Sequence, residues 1–284
     1  MNNAETAHQL ESAIAELRAN HQPYAVATVV RTAASTSALP SAKALIDADG
    51  QMILGWLGGN CAKSSVCKAA RDAIARGATR FLTIEPEDKL RDAGVNAGDT
   101  LDGVQYARNG CLSRGVIDVF IEPFLPPPQL IVMGQGLIAR AVLHHATALD
   151  FELQWRVKDA AQVTPLEHLP PTEGLALPPT DERARFVLVA TQGGGDLDAL
   201  RHACQSDAQY VGFLGSRRKF AAIAEKLRAE GIEQAQLERV HSPAGLHIDA
   251  ITPEEIALSL VVEIIQTRRR LAAAPTDSLR LVNP

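Results

Sequence analysis

Two cysteines stand in settings that lower a thiol pKa. Cys61 follows Gly58-Gly59-Asn60 at the start of a predicted helix, with Lys63 two residues further on. Cys111 has glycines and an arginine around it. Positive charge and a helix N-terminus favour the thiolate, which is a nucleophile and a ligand for soft metals. The sequence therefore predicts Cys61, Cys111 and Lys63 as catalytic candidates and both cysteines as metal ligands; a small buried side chain is the alternative for each cysteine.

A glycine-rich turn joins the apolar run Leu130–Met133 to a predicted helix over Leu137–Leu149. The turn reads Gly134-Gln135-Gly136 and begins a Gly-x-Gly-x-x-Ala pattern. Glycines let the backbone approach a diphosphate, and the N–H groups that open a helix attract it. Glycines that only pack the helix against the strand are the alternative. On the first interpretation, the residues that contact a dinucleotide are Gly134, Gly136, Leu137 and Ile138.

Two further loops follow predicted strands. Gly215-Ser216-Arg217-Arg218-Lys219 comes after Tyr210–Leu214 and opens a helix, while Gln192-Gly193-Gly194 comes after Phe186–Ala190. Ligands of doubly wound sheets bind at the carboxyl ends of the strands, so we expect all three loops to face one crevice. A solvated basic turn and a flexible glycine loop are the alternatives. The cofactor-binding residues predicted here are Gln192, Gly193, Gly194, Gly215, Ser216, Arg217 and Arg218.

The acidic residue that is typical of a nicotinamide dinucleotide site stands further along the sequence than usual. Such a fold places an acid about twenty residues after the glycines, where it holds a ribose hydroxyl. Here the chain reads Arg156-Val157-Lys158-Asp159, so Asp159 comes late. The sequence therefore leaves NAD(P), FAD and other phosphate-bearing ligands open.

Other motifs are incomplete. Lys63-Ser64 resembles part of a P-loop, but Leu57 and Ala62 stand where that motif needs glycines, so an NTPase is rejected. Cys67 and Cys204 lie in helical patterns and are predicted to be buried. The eight histidines show no spacing typical of a metal site.

Composition limits the class of protein. A chain of 284 residues is about right for two domains, and a net charge of -5 argues against a nucleic-acid partner. The polar start, residues 1–11, is not a signal peptide, and no apolar run is long enough to span a membrane. We therefore expect a cytoplasmic protein with no membrane partner, in which the four cysteines are reduced.

The elements predicted in the first half form a mixed α+β domain. An amphipathic helix over Ala4–Arg18 precedes a strand over Tyr24–Arg31, and a hairpin is expected around a turn at residues 47–50. The stretch Glu85–Asp102 is predicted to be a loop. The remaining predictions are a helix over Ala62–Arg76 with Gly77 as its C-cap, and strands over Phe81–Ile84 and Val116–Glu122.

The second half alternates strands and helices. Three prolines at 126–128 predict a stiff linker. Strands are expected at Leu130–Met133, Glu152–Arg156, Phe186–Ala190 and Tyr210–Leu214, with helices over Arg217–Glu230 and Pro253–Arg270. This alternation predicts a parallel sheet covered by helices. The predicted fold class is α/β: an N-terminal mixed α+β domain at 1–125, the linker at 126–128, and a C-terminal Rossmann-like domain at 129–284.

The chain resembles the XdhC/CoxI accessory proteins of molybdenum hydroxylases. The resemblance rests on the run Tyr210–Lys219, on Val240–Ile248 and on the Thr252–Ala257 segment, and it extends to the N-terminal half. Three departures, at Asn60-Cys61-Ala62-Lys63, at Cys111-Leu112-Ser113-Arg114-Gly115 and at Thr191-Gln192-Gly193, resemble a divergent branch, the CoxF type found with carbon monoxide dehydrogenase.

The resemblance implies a maturation factor. Members of the family bind the molybdenum cofactor, assist its sulfuration and deliver it to the apo-enzyme. The implied cargo is the pterin dinucleotide form of the molybdenum cofactor, with copper as a further candidate, and Cys61 and Cys111 are implied to face it. The implied partners are an apo molybdenum hydroxylase of the CO dehydrogenase or xanthine dehydrogenase type and a cysteine desulfurase, and a homodimer is the default state.

Two other functions stay open at this point. The Gly-x-Gly-x-x-Ala pattern is also typical of an NAD(P)- or FAD-dependent oxidoreductase, here with redox-active thiols. A third interpretation is an interaction module that docks on an apo-enzyme through the helix Pro253–Arg270 and binds no cofactor.

Overall fold

The polypeptide passes from one folding unit to another between Pro126 and Pro127. The computed structural model describes residues 3–272 apart from positions 35, 112–113 and 182. Leu112 and Ser113 of the Cys111 motif, and residues 273–284 of the predicted C-terminal domain, therefore lie outside the described residues. We call the two parts the N-terminal and the C-terminal unit.

A seven-stranded mixed sheet forms the N-terminal unit. Its strands are β1 Tyr24–Ala33, β2 Lys43–Asp47, β3 Met52–Gly55, β4 Arg80–Glu85, β5 Thr100–Leu101, β6 Val104–Arg108 and β7 Val116–Phe124. The strand order is β3-β2-β1-β7-β4-β6-β5. Strands β4 and β6 are parallel, and the other neighbours are antiparallel. The helices of this unit are α1 Asn3–Ala19, α2 Asn60–Arg76 and α3 Glu87–Asp92.

Helix α2 covers one face of this sheet. Val66, Ala69, Ala70 and Ala73 recur at helical spacing and are buried with the β7 side chains of that face. Gly77 ends the helix in the left-handed conformation at φ 60, so its predicted role as C-cap is confirmed. The small alanines let the helix approach the strands closely, which fixes its first turn relative to the sheet.

The predicted loop over Glu85–Asp102 was wrong, because the segment contains α3 and β5. Glu87 and Asp88 stand in the first turn of α3, where acidic side chains are stabilised by the helix dipole. Leu90 is buried, and so is Val95 just beyond the helix. A helix of one and a half turns with a single buried residue has no apolar period that the sequence could reveal. The hairpin predicted around residues 47–50 is confirmed as β2 and β3.

The C-terminal unit is a Rossmann-like fold, as the sequence predicted. Its strands are β8 Gln129–Met133, β9 Glu152–Val157, β10 Thr172–Glu173, β11 Arg185–Val189, β12 Tyr210–Phe213 and β13 Val240–His241. The order β10-β9-β8-β11-β12-β13 is the doubly wound order, and all neighbours are parallel. The helices are α4 Leu137–Ala146, α5 Asp196–Gln205, α6 Arg217–Ala229, α7 Gln234–Glu238 and α8 Pro253–Ala272.

Helices bury both faces of the parallel sheet. Leu130 and Val132 of β8 pack in one cluster with residues of α4 and α8, while Ile131 and Met133 pack in another with residues of α5 and α6. Side chains alternate along a strand, so a strand covered on both sides reads as a continuous apolar run. That is the property by which β8 was recognised in the sequence. No helix in the described part of the chain is long and apolar enough to cross a membrane.

Candidate functional site

The glycine turn after β8 lies at the switch point of the parallel sheet. Strands β8 and β11 are neighbours there, and the chain leaves them toward opposite sides. Gly134 has φ 137, and a Cβ on it would overlap the carbonyl oxygen of Ala190 at the end of β11. Only glycine fits a left-handed backbone in such close contact. The turn therefore passes directly across the end of the neighbouring strand.

Hydrogen bonds from the next strand hold this turn in place. The N–H of Gly134 donates to the carbonyl oxygen of Arg156 at 2.9 Å. The indole Nε1 of Trp155 donates to the carbonyl oxygen of Gly134 at 2.7 Å. The Ala190 N–H donates to the Met133 carbonyl at 2.7 Å on the other side. The turn is thus fixed from both neighbouring strands.

Helix α4 begins at this turn with an open N-terminus. Gly136 is its N-cap, in an extended conformation, and no described side chain caps it. The first turn holds no acidic residue, and Leu137 is 71% exposed. Unpaired N–H groups at a helix start carry partial positive charge and bind anions. Gly134, Gly136, Leu137 and Ile138 are therefore arranged as an anion site would require.

Gln192 lies over the start of α4. A Cβ on Gly136 would overlap the Gln192 Oε1, so the carboxamide rests against the Gly136 backbone. Gln192 itself has φ 50, which is uncommon for a residue other than glycine. The predicted contact residue from the β11 loop is thus brought to the predicted diphosphate position.

Asp196 organises the loop after β11. Its carboxylate accepts hydrogen bonds from the Thr191 hydroxyl and, at 3.0 Å, from the Gly193 N–H, and it pairs with Lys219. Burial by itself raises the pKa of Asp196, but these donors outweigh it and hold the pKa below its ordinary value. The Gly194 N–H donates to the Thr191 carbonyl at 3.0 Å. The N–H groups of Gly193 and Gly194 therefore already have acceptors within the loop.

The three cations of the basic loop after β12 do not point to one common partner. Ser216 caps α6 by accepting the Lys219 N–H at 3.2 Å, and Gly215 is required because a Cβ there would overlap the Phe213 ring. The run of three cations at 217–219 predicts that Lys219 binds an anion together with the two arginines. In the structure, the Lys219 ammonium group instead forms an ion pair with the Asp196 carboxylate at the start of α5. Arg217 and Arg218 are exposed and have no hydrogen bond or ion pair with the described residues.

A cavity of about 510 Å³ opens beside the glycine turn. It lies at the carboxyl ends of the strands β8 to β11, and its lining residues are Gly134, Gln135, Lys158, Asp159, Gln162, Glu173, Thr191 and Gly194. The loop 215–218 is not in this lining, so the structure brings two of the three predicted loops to one cavity. The loop after β12 lies beside the β11 loop at the same edge of the sheet, where Lys219 pairs with Asp196.

Asp159 was noted in the sequence as an acid that comes late, whereas Lys158 and Glu173 of the cavity lining were missed by sequence reasoning. Asp159 reaches the cavity although it follows the end of β9 by two residues, and it caps a short 3-10 helix by accepting the Ala161 N–H at 3.0 Å. Lys158 could have been found from its place directly after β9. Glu173 could not, because it comes from the Pro-rich excursion 164–179, whose path the sequence does not define.

The two cysteine segments lie at one end of the N-terminal sheet. Cys61 is in the first turn of α2, whose N-cap Gly59 has no side-chain cap among the described residues. Cys111 is exposed in the loop between β6 and β7. A Cβ on Gly58, just before α2, would lie 3.6 Å from Ile117 at the start of β7. The structure therefore brings these segments to the same edge; the side chain of Cys61 lies outside the described part of the chain.

Lys63 is exposed one turn from Cys67. Burial raises the pKa of Cys67, and the Lys63 charge only partly offsets this. Cys204 is buried in α5, and its burial raises the pKa to about 11. The predicted burial is confirmed for Cys204, whereas Cys67 is only partly buried and packs against the core. Among the described residues, no group of three or more His, Cys, Asp or Glu side chains could hold a metal ion.

The doubly wound order and the glycine turn define a Rossmann-type domain. Residues 130–264 match the family model of the XdhC Rossmann domain, and residues 17–85 match that of the XdhC and CoxI family. The chain belongs to the XdhC and CoxI family.

Two curated relatives extend the comparison. The uncharacterized protein YqeB of Escherichia coli strain K12 is 30% identical over 263 residues, which cover 89% of this chain and 45% of YqeB. A probable xanthine dehydrogenase subunit of Bacillus subtilis strain 168 is 41% identical over 63 residues, which cover 22% of this chain and 17% of that protein. The chain thus spans less than half the length of these relatives.

A solved structure is also similar. The crystal structure of a xanthine dehydrogenase from Bacillus halodurans shares 19% identity with this chain at a TM-score of 0.44, with 94% of this chain and 97% of that one covered.

Proposed function

We propose that this protein is a maturation factor that binds the molybdenum cofactor in its pterin dinucleotide form and assists its insertion into a molybdenum hydroxylase. Membership of the XdhC and CoxI family supports a role in molybdenum hydroxylase maturation in general. The Bacillus subtilis relative, named for xanthine dehydrogenase, supports an enzyme of that type as the partner. A CO dehydrogenase, with copper beside molybdenum, is the more specific partner that the sequence departures suggest.

The observation that carries this proposal is the open N-terminus of α4 beside a cavity of about 510 Å³. Small-molecule sites typically measure about 300–1,000 Å³. Gly136 has no side chain of its own, so a diphosphate can approach the N–H groups of Leu137 and Ile138 once the Gln192 side chain moves aside. The carboxylates of Asp159 and Glu173 line the adjoining cavity, where they can accept hydrogen bonds from sugar hydroxyls or a base amine. The residues therefore fit the nucleotide half of the cofactor.

Cys61 and Cys111 are proposed to act on the metal end of the same cargo. A thiolate can carry sulfur received from a cysteine desulfurase or hold a soft metal such as copper. Cys61 belongs to the first turn of α2, and exposure makes Cys111 accessible. A homodimer is the proposed state of assembly.

Cofactor retention tests the proposal. The protein is incubated anaerobically with molybdenum cofactor in dinucleotide form, and bound pterin and molybdenum are measured after gel filtration. We expect wild type to retain both and Gly136→Trp, which fills the start of α4, to lose both. Equal retention by this variant would exclude the glycine turn as the binding site.

The cysteines are tested in the same experiment. Cys61→Ala and Cys111→Ala are expected to keep the pterin but to lose sulfur or metal from it, because the thiols act on the other end of the cargo. Cys67→Ala is the matched control, since Cys67 lies on the same helix as Cys61 and packs against the core. If all three variants behave alike, the thiols have no role in the cargo.

An NAD(P)- or FAD-dependent oxidoreductase is the second candidate. The observation in its favour is that Asp159, although late in the sequence, lines the cavity after β9, where an acid binds a ribose hydroxyl in such enzymes. Calorimetric titration with NAD(H), NADP(H) and FAD tests it. Tight binding of one of these, with no retention of pterin, would replace the maturation role by a redox reaction.

A further inference from the structure

The Gln192 side chain occupies the place where a ligand would meet the start of α4. A Cβ built on Gly136 overlaps the Gln192 Oε1 and lies 3.1 Å from its Cδ. Gly136 is the N-cap of α4, and within the described chain no side chain caps that helix. The carboxamide therefore rests on the glycine that has to stay bare for a diphosphate to approach.

The backbone on both sides of Gln192 is anchored. The Thr191 hydroxyl bonds to the Asp196 carboxylate, and the Gly193 N–H donates to the same carboxylate at 3.0 Å. Asp196 is 5% exposed and paired with Lys219. These bonds hold Gln192 at φ 50 and direct its side chain toward α4. Uncovering Gly136 therefore requires rotation of the side chain and leaves the loop where it is.

The extent of the cavity agrees with this arrangement. Its lining includes Gln135 on one side of the turn and Thr191 and Gly194 on the other. Gly136 and Gln192 are not in that lining. The cavity and the start of α4 are thus lined by different residues, so the nucleoside and the diphosphate parts of a ligand would meet two surfaces, an open cavity and a helix start that Gln192 covers.

We propose that Gln192 competes with the ligand diphosphate for the N-terminus of α4 and so weakens and gates nucleotide binding. This inference rests on the proposed nucleotide site. The Gln192 carboxamide has no hydrogen bond to α4 among the described residues, so it lies on the helix start by contact alone and can leave again. A bound diphosphate carries full charge and displaces it. Gln192 is thus a cover that sets affinity and the rate of entry, and not a contact that holds the ligand.

Two substitutions at this position have opposite expected effects. Gln192→Ala uncovers Gly136, so ADP or CDP is expected to bind about three- to tenfold tighter, because the diphosphate no longer has to displace the carboxamide. Gln192→Glu places a carboxylate at the positive end of α4, where it is stabilised and repels the diphosphate. Binding by this variant is expected to be weaker than that of wild type.

The experiment is calorimetric titration of the full chain with ADP, CDP and NAD⁺, with thermal unfolding to check that each variant is folded. Gln209→Ala is the matched control, because it removes an exposed glutamine side chain just before β12, at the opposite end of the sheet, and its affinity is expected to equal that of wild type. Binding that is tightest for Gln192→Ala, weaker for wild type and weakest for Gln192→Glu supports the proposal that Gln192 covers the start of α4.

Two outcomes would overturn the inference at different levels. If wild type binds a probe and Gln192→Ala binds it equally or more weakly, Gln192 is neutral or a contact residue. The proposal that Gln192 covers the helix start is then wrong, while the nucleotide site stands. If neither wild type nor Gln192→Ala binds any of the three probes or the pterin dinucleotide, the proposed nucleotide site is wrong. The proposal that Gln192 covers it is then wrong as well.

Discussion

The indole Nε1 of Trp155 donates a hydrogen bond of 2.7 Å to the carbonyl oxygen of Gly134. Trp155 is 1% exposed, and the guanidinium of Arg140 from α4 lies 5.4 Å from the centre of its ring. One side chain of β9 thereby fixes both the glycine turn and the helix that follows it. The chain thus holds the start of α4 from the interior of the sheet.

Trp155→Phe is expected to weaken nucleotide binding and stability together. The phenyl ring keeps most of the packing but leaves the buried Gly134 carbonyl without its donor, which costs about 1–3 kcal/mol. Urea unfolding and calorimetric titration measure the two effects. Trp56→Phe is the control, because Trp56 is 52% exposed in the N-terminal unit. Unchanged binding by a destabilised Trp155→Phe protein would show that the turn does not depend on this bond.

Gly134→Ala is expected to disrupt the turn, whereas Gly194→Ala is expected to be tolerated. Gly134 is left-handed, and its new Cβ would overlap a backbone carbonyl of β11 that cannot move independently. Gly194 has no positive φ, and its new Cβ would lie 3.5 Å from the Thr191 oxygen, an ordinary contact. We expect a loss of about 3 kcal/mol or more in the free energy of unfolding for the first and less than about 1 kcal/mol for the second.

Asp196→Asn is expected to change how stability depends on pH. The pKa of Asp196 is lower in the folded protein than its ordinary value of 3.8, so its ionised form stabilises the fold above that value. This stabilisation disappears as the pH falls through the folded pKa. Wild type should therefore exceed the asparagine variant in free energy of unfolding above about pH 5, and the difference should shrink below about pH 4.

Urea unfolding at a series of pH values tests the Asp196 prediction. Asp198→Asn is the matched control, because Asp198 lies in the same first turn of α5 but its pairs, with Arg201 and His202, are exposed. Exposed pairs contribute little. A wild-type advantage that stays constant down to pH 3 would mean that the Asp196 carboxylate is not what stabilises the loop.

The thiols are expected to differ in their reaction with iodoacetamide near pH 8. Cys111 is exposed and should react well before Cys204. Cys204 is buried, and its pKa of about 11 leaves almost no thiolate at that pH, so it should react only after unfolding. Peptide mass spectrometry over time separates the sites, and Cys111→Ala identifies the fast one. Rapid labelling of Cys204 in the folded chain would contradict its burial.

Buried strands and glycine turns could be predicted from the sequence because their physical causes are local. The run Leu130–Met133 is apolar at every position since helices cover both faces, and Gly134 and Gly136 follow it directly. Helix α2 ends at Gly77 for an equally local reason. In each case the residue types alone determine the conformation.

The site could be predicted only in part, because side-chain pairing is not local. Lys219 is bound by Asp196, which is 23 residues away in the sequence and on another helix, so the row of cations at 217–219 does not act as one group. Glu173 reaches the cavity from the excursion 164–179, and Gln192 covers Gly136 from the loop of another strand. None of these placements leaves a pattern in the sequence.

Tyr210→Phe is expected to destabilise the C-terminal unit. Tyr210 is 1% exposed, and its hydroxyl donates to Glu263 of α8 at 2.9 Å, while the same carboxylate accepts the Gly245 N–H at 2.5 Å and contacts His241 at 2.8 Å. A hydrogen bond to a charged group contributes about 1.5–3 kcal/mol, so that loss is expected in the free energy of unfolding.

The alkaline pH range gives the Tyr210 prediction a second readout. Burial, together with the Glu263 charge, raises the pKa of Tyr210 above its ordinary value of 10.0, so the protonated hydroxyl stabilises the fold below that value and this contribution is lost as the pH rises above it. The advantage of wild type over Tyr210→Phe should therefore be constant up to about pH 9 and shrink above about pH 10. Tyr106→Phe is the control, since the Tyr106 hydroxyl has no hydrogen bond among the described residues. An effect of Tyr210→Phe no larger than that of the control would mean that the Glu263 contact does not hold α8 to the sheet.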